Sequence, residues 1–333
     1  MGNRTWLFLL LILLLAIAFV GRLGMGSVEI PLTEVLGVLW GKEPTRTAWR
    51  EIILQFRLPR TLAAIASGAA LSVSGLQVQT LFRNPLAGPS ILGINAGASL
   101  AVAVVVLAAG STAIPPIGIA LAAGLGAGLA VGLLLAIAQQ LQSPLTLLVL
   151  GLMFGYLTTA FTTILLHFST SERTQTYLIW TFGSFAGVTW PQIRVLLPMV
   201  AIGLVISGLL CSSLNLLLLG DEQARSLGLS VRAVRAGIVI GAALLAGTVV
   251  AFCGPVAFLG VAVPHLCRSA FKSAEHRVLI PATILIGALL ALFADAIAQL
   301  PGRDAVLPLN AVTALLGAPV VVWLVWQRQH FFH

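Results

Sequence analysis

The stretch Gly220-Asp221-Glu222-Gln223-Ala224-Arg225-Ser226-Leu227-Gly228 sets two carboxylates and a guanidinium between two long apolar blocks. Asp221 has the chemistry of an N-cap, Asp221 and Arg225 stand at i,i+4 spacing, and Gly228 can supply the left-handed residue that stops a helix. The spacing predicts a short polar helix over 220–228 with its own start and stop. Held at the surface by flanking apolar segments, such a helix is a shape that another protein can grip. Its chemistry is docking.

Other chemistries lack their residues. A P-loop needs Gly-Lys followed by Ser or Thr to wrap phosphates, but Lys42 precedes Glu43 and Lys272 follows Phe271, so no ATP site of that kind is written here. Ion-coupled carriers place acidic or basic side chains at mid-membrane. The acidic residue within an apolar stretch here is Asp295, and His167 ends another; both read as helix-end or interface residues. Paired Asp-rich motifs and HExxH are absent. Such a chain passes something without an ion gradient and without hydrolysing nucleotide itself, so it is not an enzyme and needs an external motor. The helix at 220–228 is where that motor would push.

Composition says what positions this helix. Of 333 residues, 59% are hydrophobic and 8% charged, and the mean hydropathy is +1.06, which places an all-α polytopic protein in lipid. Ten apolar windows of span length fall near 5–21, 61–81, 91–110, 115–138, 145–167, 193–218, 235–252, 256–268, 279–299 and 308–326, within one transmembrane domain, 1–333. The eighth is short and broken by Pro255 and Pro264, and a re-entrant piece is the alternative. The first reads as an uncleaved anchor. Basic residues gather beside the polar helix and at both ends, which points to cytoplasmic termini. The net charge of +8 reads as membrane orientation, with no basic, aromatic-interleaved surface for nucleic acid. Cys211, Cys253 and Cys267 lie in apolar surroundings without CxxC spacing, as packing residues and not as metal ligands or disulfides.

Small-xxx-small spacing at Gly93/Gly97, Gly124/Gly128/Gly132, Gly151/Gly155 and Gly237/Gly241 predicts close helix packing. A faint repeat pairs Gly68-Ala-Ala-Leu71, Gly88-Pro89 and Gly93 with Gly241-Ala-Ala-Leu244, Gly254-Pro255 and Gly260, and two halves of four spans would fit it.

Arg57-Leu58-Pro59-Arg60, Arg83-Asn84-Pro85-Leu86-Ala87-Gly88-Pro89, Gly220–Gly228, Gly254-Pro255-Val256-Ala257-Phe258-Leu259-Gly260 with Pro264-His265 and Arg268, and Leu315-Leu316-Gly317-Ala318-Pro319 follow in order along the chain. Together they resemble the iron-chelate/vitamin B12 family of ABC importer permeases, the FecCD type of type II importer. The resemblance implies a ten-span permease fold in the bacterial cytoplasmic membrane. It also implies a second permease chain, identical or related, two cytoplasmic ATP-binding subunits that hold ATP and Mg, and a periplasmic or lipid-anchored binding protein. No cofactor belongs to this chain.

The resemblance makes the polar helix the coupling helix that enters a cleft of the ATPase, through Gly220, Asp221, Glu222, Ala224, Arg225, Leu227 and Gly228. It makes Arg57 and Arg60 exposed outer-rim arginines that pair with acidic residues of the binding protein, with Arg303 a weaker third. It places Asn84 and Leu86 at the cytoplasmic gate and His167, Ser169, Trp180 and Phe182 near the outer mouth of the pathway. The second gate segment, around Gln142–Leu145, departs from the pattern at Pro144. A ferric siderophore is the expected cargo, with vitamin B12 or haem next. An ion-coupled carrier or gated channel is the alternative function.

Overall fold

A computed structural model of the protein describes residues 2–108, 115–138, 144–299 and 306–329. Among these, every regular element is a helix. Gly2–Gly24 (α1) is followed by the short Leu32–Leu39 (α2) and Thr47–Glu51 (α3), and α3 runs through a π-helical stretch, Ile52–Arg57, into Leu58–Phe82 (α4). Ile94–Ala103 (α5), Pro116–Ala138 (α6), Pro144–His167 (α7), Ser171–Thr181 (α8), Trp190–Leu209 (α9) and Cys211–Leu218 (α10) come next. Asp221–Ser226 (α11), Val231–Cys253 (α12), Leu259–Phe271 (α13), His276–Ala298 (α14) and Leu309–Gln329 (α15) complete the chain.

The central element is α4. Pro59 lies just past the π-helical stretch of a continuous helix, where its missing N–H leaves the helix one donor short, and the Leu54 carbonyl in that stretch accepts instead from Trp190 Nε1 at 2.9 Å. Beyond Pro59 the helix is rich in Ala, Ser and Gly, and nearly every residue is buried between α9, α12, α13 and α14. Small side chains let these backbones meet directly: a Cβ on Gly68 would stand 2.2 Å from the Gly287 carbonyl oxygen, and one on Gly75 only 1.7 Å from that of Gly260. Lipid offers no hydrophobic drive for helices to associate, so close packing of this kind carries the association. The spacing rule located only part of it. Gly97 meets the backbone of Gly126, whereas Gly128, Gly132 and Gly155 touch nothing within 4 Å. Those glycines lie toward the outward faces, beside exposed Leu125 and Leu129 on α6 and Leu152 and Tyr156 on α7.

The described residues of the ten windows are largely helical. Among the described residues, seven helical segments are long and apolar enough to cross a membrane, α3 and α4 counting as one; α5 with its π-helical extension and α15 are shorter apolar helices. The window at 193–218 is two helices broken at Leu210, and the one at 256–268 begins only at Leu259, after a non-helical Gly254–Ala257. Pro255 and the positive φ of Gly254 (72°) cause that delay.

The bundle has two poles. Gln79 and Thr80 at the end of α4 meet Arg268 of α13 and His276 of α14, and α11 lies at this pole. Arg60 at the start of α4 meets Asp295 near the end of α14 at the other. Phe8 of α1 stacks on Phe271, 4.7 Å between centroids, and α15 starts beside Phe182 at the far pole. The first described helix therefore begins at, and the last runs toward, the α11 pole. The faint repeat has a structural counterpart: α4 and α12 run in opposite directions in contact, and each ends in a Gly-Pro break before a shorter helix, α5 or α13. Gly93 and Gly260 are not equivalent, however. Gly93 is a left-handed cap (φ 68°), while Gly260 lies inside α13 against Pro89.

Candidate functional site

The predicted polar helix forms, one turn shorter than its sequence span. Gly220 is the N-cap, at φ 117° and ψ 153°, a conformation open only to glycine, so Asp221 becomes the first helical residue instead of the cap. At the other end Gly228 is left-handed at φ 84°. Its N–H donates to the Arg225 carbonyl at 2.9 Å, and that of Leu229 donates to Ala224 at 3.0 Å, the paired bonds of a Schellman stop.

The expected Asp221–Arg225 pair does not form. Asp221 Oδ1 instead accepts from Arg83 Nη2 at 2.8 Å, and Oδ2 accepts from Arg235 Nη2. Both donors come from other helices and are partly shielded, whereas Arg225 points outward from a helix of six residues. Ala224 is fully buried and pins α11 to the bundle. Glu222, Arg225 and Leu227 are exposed, alongside exposed Leu218 and Leu219. An apolar patch ringed by charge is the composition of a docking face.

The loop after α4 stands beside it. Arg83 caps α4 in the left-handed region (φ 48°), and the Asn84 N–H reaches back to the Gln79 carbonyl at 3.1 Å. Asn84 Oδ1 accepts from the Leu86 N–H at 2.9 Å, the carbonyl of Pro85 lies 2.8 Å from His265 Nε2, and Leu86 itself is exposed. The two expected gate residues thus sit on one stapled loop. Of the second gate segment, residues 142 and 143 lie outside the described residues, and Pro144 and Leu145 open α7.

At the opposite pole the expectation of exposed arginines is corrected. Arg57 and Arg60 are 8% and 7% exposed. Arg57 Nη1 donates to the carbonyls of Leu23 and Gly24 at 2.7 and 2.8 Å, and its Nη2 to that of Val28. The first two carbonyls end α1, where helical acceptors lack partners and the helix dipole is negative. Arg60 grips both carboxylate oxygens of Asp295, and Arg22 of α1 donates Nε to Oδ2 at 2.7 Å. Both guanidinium groups turn inward because the partners at this depth are inside the protein. Arg303 lies outside the described residues.

Asp295, 1% exposed, is the residue whose role sequence reasoning undervalued. The available signal was its being the acidic residue of an apolar helix while Arg22, Arg57 and Arg60 each stood at the end of another.

His167, at the end of α7, is exposed and packs edge-on to Phe168, 5.1 Å between centroids. Ser169 Oγ reaches only the neighbouring Thr170 carbonyl, at 3.5 Å. Trp180 lies near Tyr177 at the other end of α8, and the carbonyl of the half-exposed Phe182 accepts from the Asn310 N–H at 3.0 Å. All four belong to the pole opposite α11, in two separate groups. Tyr177 is buried there, and desolvation raises its pKa against hydrogen bonds from Ser99 and Thr162. The three cysteines are buried and free, with Cys253 Sγ 3.4 Å from Ser67 Oγ.

The profile of the FecCD transport family matches residues 11–327. The vitamin B12 import system permease protein BtuC of Klebsiella pneumoniae subsp. pneumoniae is 38% identical over 322 residues, covering 97% of this chain and 93% of that one. The BtuC of Salmonella typhi is 38% identical over 274 residues and covers 82% of each chain. A solved structure described as an inward-facing conformation of a metal-chelate type ABC transporter superposes with a TM-score of 0.86 at 29% identity, covering 97% of this chain and 99% of that one. PsaBC from Streptococcus pneumoniae, in complex with Fab, shares the fold at a TM-score of 0.55 and 14% identity, over 80% of this chain and 90% of that one. Matched along almost its entire length, the chain belongs to the FecCD transport family, as a multi-pass permease subunit of a metal-chelate/vitamin B12 type ABC importer in the bacterial inner membrane.

Proposed function

We propose that this chain, paired with a second permease chain, forms the translocation pathway for vitamin B12 or a closely related corrinoid. A periplasmic or lipid-anchored binding protein delivers the cargo, and two cytoplasmic subunits that bind ATP and Mg drive its passage. The observation that carries the cargo assignment is the near-full-length identity of 38% to vitamin B12 permeases. It moves the reading away from the ferric siderophore that resemblance alone suggested. A siderophore stays the second reading, on the likeness to a metal-chelate type transporter.

The α11 pole faces the cytoplasm, with both termini, and α11 enters the ATPase through Leu218, Leu219, Glu222, Arg225 and Leu227. The mixed apolar and charged exposure of that face supports this placement. Arg57 and Arg60, turned inward, contribute to receiving the binding protein by shaping the outer rim and not by direct pairing; His167, Ser169, Trp180 and Phe182 lie where cargo would enter.

Uptake of labelled cyanocobalamin into cells lacking their own importer, supplied with this permease, its ATPase and its binding protein, checks both parts. Unlabelled corrinoids are expected to compete and ferric siderophores not to; the reverse pattern would make the siderophore reading correct. Glu222→Lys combined with Arg225→Glu should lower uptake by about tenfold, equivalent to roughly 1.4 kcal/mol of lost docking, with the permease inserted at normal levels. Full uptake by the doubly reversed chain would overturn the ATPase-facing role of α11.

A further inference from the structure

A helix of six residues between two glycines at positive φ, Gly220 and Gly228, is a poor lever by itself. Pushed at its exposed face, it could swing on both glycines and move nothing else. The carboxylate of Asp221 prevents this, because each of its oxygens is held by a guanidinium from a different element. Oδ1 is bound to Arg83, 2.8 Å away at the end of α4, and Oδ2 to Arg235 in the second turn of α12. Arg83 also reaches the Leu217 carbonyl at the end of α10, at 3.4 Å.

From Arg83 the connection continues without slack. The next residues are tied by the Asn84 N–H to Gln79, by Asn84 Oδ1 to the Leu86 N–H, and by the Pro85 carbonyl to His265 of α13. Ala87 behind them is fully buried. A displacement of α11 therefore branches at Asp221, one arm running to the 83–88 loop and the other to α12. These two pieces begin and end helices that run in opposite directions.

The side chains of Arg83, Asp221 and Arg235 are 51%, 28% and 22% exposed. The Arg235 arm is largely shielded and serves to hold Asp221 to α12, whereas the half-exposed Arg83 arm contributes little to folding. Stability therefore does not account for the second arginine on this carboxylate, whereas transmission of movement to the 83–88 loop does.

We propose that the Arg83–Asp221–Arg235 bridge is the link that converts displacement of α11 into movement of the Asn84–Leu86 gate loop, with Arg83 and Arg235 as positioning residues. The inference rests on α11 being the ATPase-facing helix, and one experiment separates the two. The permease, reconstituted in proteoliposomes with its ATPase and binding protein, is assayed for ATPase retention, ATP hydrolysis and cargo taken up per ATP. Arg83→Gln and Arg235→Gln are expected to retain the ATPase and keep hydrolysing ATP, while uptake per ATP falls by at least about fivefold, within the usual range of inter-site coupling. Arg83→Lys, which keeps the charge, should recover most of the loss.

Unchanged uptake per ATP in both neutral variants, with the ATPase retained, would overturn the bridge and leave the docking role of α11 intact. Equal defects in Arg83→Lys and Arg83→Gln would also overturn it, by showing that charge is not what transmits. If the chain reversed at Glu222 and Arg225 still took up cargo at the full rate, the docking role would fall and the bridge with it. Arg235→Gln gives an independent reading should Arg83→Gln fail to fold.

Discussion

Asp295→Ala is expected to leave little folded permease. The carboxylate is 1% exposed and accepts from both Arg22 and Arg60, which are 4% and 7% exposed, while Arg57 stands beside them on the last carbonyls of α1. With Asp295 present, Arg22 and Arg60 share one carboxylate; without it, these two guanidinium groups and the neighbouring Arg57 repel each other with only neutral acceptors left. Removing one partner of a buried pair typically costs about 3–5 kcal/mol, and here one substitution strips two. That is a large part of the roughly 5–15 kcal/mol that holds an ordinary domain together. The node joins α1, the start of α4 and the end of α14, so its loss loosens three helices at once at this pole. Thermal unfolding of the purified protein in detergent should show a drop in Tm of many degrees, or no monodisperse protein at all. Arg22→Met, which leaves the Arg60–Asp295 pair intact and removes a like charge, should cost far less. Equal Tm values for Asp295→Ala and the unaltered chain would mean that the node contributes nothing to the fold.

The apolar helices were legible in the sequence because lipid demands them: a window of about 20 apolar residues has few fates other than a span. The short helix at 220–228 was legible because its stop is local chemistry, carried by Gly228. Its pairing was not, since Arg225 was the nearest guanidinium in sequence and Arg83 and Arg235 were nearest in space. The same gap explains Arg57 and Arg60. Beside Pro59 at the start of a helix they look like rim residues, and only the fold brings Asp295, 235 positions beyond Arg60, to the same depth. Local rules predict start, stop and face, but a charge seeks whichever partner the bundle offers.

Packing by glycine shows the same limit and yields the other large expected effect. Gly75→Leu should abolish assembly of the bundle, and even Gly75→Ala should be poorly tolerated. A Cβ at residue 75 would lie 1.7 Å from the carbonyl oxygen of Gly260, where an ordinary C···O contact is about 3.3 Å. The obstacle is backbone and not a movable side chain, so α4 and α13 would have to separate by well over an ångström. Overpacking a well-filled core usually costs about 1–3 kcal/mol, and here the strain spreads further. Gly260 packs in turn on Pro89 and the Leu71 carbonyl, and α13 carries the His265 and Arg268 contacts that position the 83–88 loop and Gln79. Separation at Gly75 therefore loosens the gate loop as well as the core. Gly128→Ala provides the matched comparison. It also lies within a helix, α6, in a small-xxx-small series, but nothing stands within 4 Å of its added Cβ. The alanine should be neutral or stabilising, by up to about 1 kcal/mol, because helical glycine costs more backbone entropy than alanine. Comparing Tm and yield for the two variants distinguishes close backbone approach from sequence spacing as the cause of packing. A tolerant Gly75→Ala beside an intolerant Gly128→Ala would reverse the assignment of which glycines hold the bundle.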